Sequence, residues 1–90
     1  MKQIQAVIPT QGTRRDRVAK LQAQDGRVAG RIVRFTCNGG TVVEIEKRNM
    51  ARFEEGYPVD AGIREPGTHA AGQAGIEASR TLRYAKVTLK

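Results

Sequence analysis

No tryptophan occurs in these 90 residues, and only four aromatic side chains do: Phe35, Phe53, Tyr57 and Tyr84. A core so poor in bulky anchors must be assembled from Val, Ile, Leu and Ala. The same scarcity counts against a large hydrophobic interface and against a broad base-stacking platform. Cysteine occurs once, as Cys37, so no internal disulfide forms, which suits a reducing, cytoplasmic compartment. Met1–Gln5 leads into no apolar stretch of the signal-peptide kind, and no apolar run approaches bilayer length, so no membrane partner is expected. The length gives one domain, residues 1–90, with no room for a second core.

Catalytic and metal chemistry is equally thin. His69, Ser79 and Cys37 are the single representatives of their types, and no spacing ties a nucleophile to a base. His69 with Asp60 and Glu65 matches no metal-ligand pattern, and the adjacent Glu54 and Glu55 point to different faces in any regular structure. The phosphate-loop pattern is absent, and Gly72-Gln73-Ala74-Gly75 lacks the basic residue and preceding helix of a KH-type clamp. The expectation is a protein that is not an enzyme and carries no catalytic residue, metal or cofactor.

What is present is charge, unevenly placed. The net charge is +7, with eleven Arg against five Lys, a bias that a GC-rich genome would also produce. Residues 1–36 carry a balance of +6, residues 37–79 one of −3, and residues 80–90 one of +4. Basic ends flank an acidic middle, an arrangement that attracts polyanions.

The apolar pattern is that of strands. Ile4, Ala6 and Ile8 alternate with Gln3 and Gln5 up to Pro9, the period-two signature of a half-buried strand. Residues 13–25 contain good helix formers after a capping-box-like Thr13 and Asp16, so an α+β alternative with that segment helical is conceivable. Its apolar positions fit a strand better, with Ala19, Leu21 and Ala23 on one face. Asp25-Gly26 then reads as a two-residue hairpin turn, setting Ala23 opposite Val28, Lys20 opposite Arg31 and Ala19 opposite Ile32.

A second hairpin is signalled by Asn38-Gly39-Gly40. A three-residue loop pairs Phe35 with Val43, Val33 with Ile45 and Arg34 with Glu44, whereas two-residue loops would bring Glu44 against Phe35 or Val33. The two hairpins disagree over which face of residues 27–37 is buried, and a bulge at Gly30-Arg31 in one long bent strand would reconcile them. Residues 81–90 add a strand with Ala85, Val87 and Leu89 on one side, and residues 48–55 suit one short helix. Between them, residues 56–79 hold Pro58, Pro66 and several Gly, and read as a long irregular loop, a length usually kept for function. The fold class is mainly β: a small antiparallel sheet or partly open barrel of about five strands.

Arg14-Arg15-Asp16-Arg17-Val18, followed by the Asp25-Gly26 hairpin and a bent strand through Gly30, resembles the strand order of Sm-like small barrels, which bind RNA. The likeness spans roughly a third of the chain. That family's acidic–asparagine signature is missing, and no residue role carries over.

The functional expectation is a basic module contacting nucleic acid through an Arg-rich hairpin surface of Arg14, Arg15, Arg17, Lys20, Arg27 and Arg31, extended by Arg80, Arg83 and Lys86. The alternative is a small protein-interaction or assembly subunit, of the kind mobile elements and viruses encode, docking on a protein partner or its own copies through residues 56–79.

Overall fold

The structure, a computed structural model, describes residues 1–10, 12, 15–66 and 81–90. Seven strands form one antiparallel sheet: β1 Lys2–Pro9, β2 Asp16–Ala23, β3 Arg27–Ala29, β4 Ile32–Thr36, β5 Val42–Glu46, β6 Val59–Glu65 and β7 Thr81–Leu89. Their spatial order is β2-β1-β7-β6-β5-β4-β3, which leaves β2 and β3 as edges of an open sheet and not a closed barrel. The one α-helix described, α1 Met50–Glu54, follows a 3-10 turn at Lys47–Asn49 and sits in the connection from β5 to β6.

Period-two alternation places the core on one face. Ile4, Ala6 and Ile8 of β1 are buried, as are Ala85 and Val87 of β7, and Leu89 packs against them. β5 and β6 add Val43, Ile45, Val59, Ala61 and Ile63. Helix α1 lays Phe53 onto this face, its ring 5.8 Å from that of Phe35 on β4, in a tilted arrangement that favours aromatic pairs. Removing a buried Phe costs about 3–5 kcal/mol, a large share of the roughly 5–15 kcal/mol that holds a domain together.

The Asn38-Gly39-Gly40 hairpin has the register that side-chain chemistry selects, with Phe35 opposite Val43, Val33 opposite Ile45 and Arg34 opposite Glu44. Cys37 N–H closes the three-residue loop by donating to Thr41 O at 2.8 Å. Residues 16–23 are strand and not helix, with Ala19, Leu21 and Ala23 on the inner face as expected.

The expected Asp25-Gly26 hairpin does not form. β2 pairs along its whole length with β1, from Lys2 opposite Ala23 to Pro9 opposite Asp16, while β3 pairs with β4. Gly26 is there for space and not for positive φ: a Cβ at this position would lie 2.5 Å from Val33 Cγ1 and 2.8 Å from Phe35 Cε1. The chain therefore crosses from one sheet edge to the other over the Phe35 ring, and only a bare backbone fits. The real two-residue turn is Gly30-Arg31, where Gly30 adopts φ +63° and Ala29 faces Ile32. No bulged long strand is needed, because the turn itself resets the register so that Val33 is buried and Ile32 half-buried. With the hairpin goes the resemblance in strand order to Sm-like barrels.

The irregular loop expected over 56–79 is corrected over residues 59–65, while residues 67–79 of it lie outside the described residues. Val59–Glu65 is an interior strand between β5 and β7, with Val59, Ala61 and Ile63 pointing into the core. Pro58 and Pro66 stand just outside its ends, where a missing N–H costs no ladder bond.

The two glycines separate two kinds of cost. Gly26→Ala should lose about 1–3 kcal/mol by overpacking. Gly30→Ala, which meets nothing within 4 Å, should lose only the roughly 1–2 kcal/mol of left-handed strain. Urea unfolding midpoints of the two variants check this, and repacking a neighbouring Val33→Ala should rescue only Gly26→Ala.

Candidate nucleic-acid interface

The face of the sheet opposite the core carries the charge. Consecutive strand pairings set one row across it: Tyr84 opposite Gly62, Gly62 opposite Glu44, Glu44 opposite Arg34, and Arg34 opposite Arg27. Glu44, whose side chain is only 10% exposed, holds two guanidiniums at once: Arg34 at 3.0 Å and Arg64 at 3.2 Å. Both arginines are solvent-facing, so these pairs orient side chains more than they stabilise the fold.

Gly62 shapes the middle of the row. A Cβ there would stand 3.2 Å from Leu82 Cδ1 and 4.0 Å from Tyr84 Cε1, so these two side chains lie over bare backbone. They form one flank of a shallow groove of about 880 Å³ whose other walls carry both signs of charge, Arg31, Arg48 and Arg64 together with Glu44, Glu46 and Asp60. The Tyr84 ring remains 70% exposed at its rim.

Positive charge converges at one corner of this face. The Gly30-Arg31 turn is tied to the start of the following 3-10 turn by Lys47 N–H donating to Arg31 O at 2.8 Å, which brings Arg31 and Lys47 together. Arg27 lies directly across from Arg34, an arrangement of like charges that is unfavourable in a sheet unless an anion intervenes. Arg34 has Glu44, and Arg48 has Glu46. Among the described residues Arg27, Arg31 and Lys47 form no salt bridge, although Glu44 and Glu46 line the same groove as Arg31 and Lys47.

The arginines and lysines singled out from the sequence are thus dispersed. Arg27 and Arg31 fall at this corner, whereas Lys20 lies on the outer face of β2, the opposite edge in strand order. Arg15 precedes β2. Arg17 is on its inner side and pairs with Glu65 of β6. Arg83 is an exposed residue of β7, and Lys86 pairs with Asp60 at 2.8 Å. Arg14, Arg80, His69 and Ser79 lie outside the described residues, as does all of 67–79 in the loop considered for docking; Val59–Glu65 is sheet interior and unavailable for it. Arg34, Lys47, Arg48, Arg64 and Tyr84 were not singled out, because their common surface depends on the strand order. The Arg34–Glu44 pairing was the one available signal.

Among the described residues no group of three His, Cys, Asp or Glu side chains could hold a metal, and no helix is long and apolar enough to cross a membrane. Cys37 is buried, and desolvation pushes its thiol above the ordinary range, away from the reactive thiolate. A disulfide reagent at neutral pH should therefore label Cys37 slowly in buffer and rapidly in denaturant. Because the folded-state value is the higher one, stability should fall as pH rises through the ordinary thiol range near about 8.5. Labelling in buffer as fast as in denaturant would contradict the burial. Comparison with protein-family models, with curated proteins and with solved structures finds no match to this chain.

Proposed function

We propose that this chain is a non-enzymatic module that binds nucleic acid through its backbone, using the basic corner formed by β3, β4 and the Lys47–Arg48 turn. The observation that carries this reading is the run of cations along the β3–β4 hairpin, Arg27 opposite Arg34 and Arg31 beside Lys47 at its turn, of which Arg27, Arg31 and Lys47 form no salt bridge among the described residues. A phosphate here would give Arg27 the counter-charge that Glu44 already gives Arg34. Lys and Arg contacts of this type give affinity and position without reading sequence. The adjacent groove supplies one exposed ring, Tyr84, which suits a single unstacked base and no more.

A second reading, that of an assembly subunit, is favoured by the outer side of Asp16–Lys20 on β2, which has no strand partner among the described residues.

Fluorescence anisotropy with labelled single- and double-stranded DNA and RNA, titrated at several salt concentrations, tests the proposal. Arg27→Ala with Arg31→Ala should weaken binding alike for all sequences and reduce the salt slope by about 2. Tyr84→Ala should weaken single-stranded binding by about tenfold, since one stack contributes about 1–3 kcal/mol, and should leave duplex binding nearly unchanged. Absence of any complex at low salt would discard the reading.

A further inference from the structure

The second edge of the sheet has a backbone parity and a charge order that suit only one of the simple ways of extending it. β2 is paired with β1 on one side. On its other side only its C-terminal end is occupied, where Ala23 bridges Cys37 and Gln24 N–H donates to Thr36 O at 2.9 Å. Among the described residues Asp16–Lys20 has no strand partner on that side.

Backbone groups two residues apart in a strand point the same way. Since Gln24 donates away from β1, the N–H and C=O groups of Lys20, Val18 and Asp16 also face the open edge. An independent bond agrees: Lys90 N–H donates to Gln3 O at 2.8 Å on the β7 side. Ile4, Ala6 and Ile8 therefore address β2, and they stand opposite Leu21, Ala19 and Arg17, the residues left to bond β1.

We propose that the Asp16–Lys20 edge pairs antiparallel with the same edge of a second copy of this chain, centred on Val18. In this register Val18 faces its own counterpart, and Asp16 of each copy faces Lys20 of the other, giving two opposite-charge pairs related by the twofold axis. All three outward residues then exchange backbone bonds, about six in total. Val18, 56% exposed, meets its twin in a short apolar row continued by Val7 on β1.

Neighbouring registers that keep the inner faces aligned lose this match. Centring on Ala19 sets Val18 against Lys20 and needs Gln22, which lies where the 38–40 turn approaches β2. Centring on Lys20 or Arg17 sets like charges face to face. Edge β3 offers no comparable surface, having three residues with Arg27 among them. An open edge of this length without proline is a template for strand addition, and here the added strand that complements its charges is its own.

Sedimentation equilibrium on nucleic-acid-free protein, from about 1 μM to 1 mM, tests the proposal independently of the nucleic-acid reading. Wild type should associate to a dimer. Asp16→Lys and Lys20→Glu should each weaken dimerisation at least about tenfold, because each replaces two attractions by two repulsions, while circular dichroism stays unchanged. Mixing the two variants in equal amounts should restore association to wild-type strength, since their edges are complementary. A wild-type monomer over the whole range would overturn the proposal, as would single variants that dimerise like wild type or a mixture no tighter than either variant alone.

Discussion

The Phe35 ring is the object around which the rest is arranged. Phe53 of α1 lies against it from the open side of the core, and the backbone of Gly26 crosses it too closely for any side chain. With four aromatics in the chain, no other contact could replace this one. The short helix is held where it is because its only buried residue is Phe53, and a five-residue helix has little stability of its own. The crossing at Gly26, in turn, decides that β2 and β3 become opposite edges and not neighbours.

That decision governs the surface. Had β2 and β3 paired, the arginines and lysines of residues 14–31 would have formed one continuous basic strip. Separated, they divide into a corner around Arg27 and Arg31 and an edge around Lys20, with the Glu44-centred arginines, Tyr84 and the Lys86–Asp60 pair between them. The two proposed surfaces belong to different strands, the corner to β3 and β4 and the edge to β2.

Much of the sheet was legible in the sequence where neighbours in sequence are neighbours in space. The alternation of Ile4, Ala6 and Ile8 marked β1, and the placement of Glu44 away from Phe35 and Val33 selected the register of the β4–β5 hairpin. Legibility failed where a residue had two physical uses. Asp25-Gly26 has the composition of a turn, yet Gly26 is required by the proximity of Phe35, which lies nine residues on. Val59, Ala61 and Ile63 alternate as a strand should, but Gly62 and the flanking Pro58 and Pro66 gave the segment the look of a loop. The candidate site was half legible: the charge of Arg27 on β3 and of Arg31 in the turn after it is visible in sequence, whereas Lys47, Arg64 and Tyr84 join them only once the strand order is known.

The position of β7 has a consequence for how the molecule comes together. β1 with β2 is one sequence-local piece, and β3 through β6 form another, each assembled from strands that follow one another closely. Beyond the Ala23–Cys37 bridge and the Gln24–Thr36 bond, the two pieces are joined through β7, which pairs Val87 with Ala6 on one side and with Val59 on the other. During synthesis from the N-terminus β7 follows both half-sheets, so their apolar faces are exposed before it can join them. The loop-closure entropy of joining residues about eighty positions apart falls on that single step, which makes the arrival of β7 the natural kinetic bottleneck and the moment of greatest exposure to misassembly.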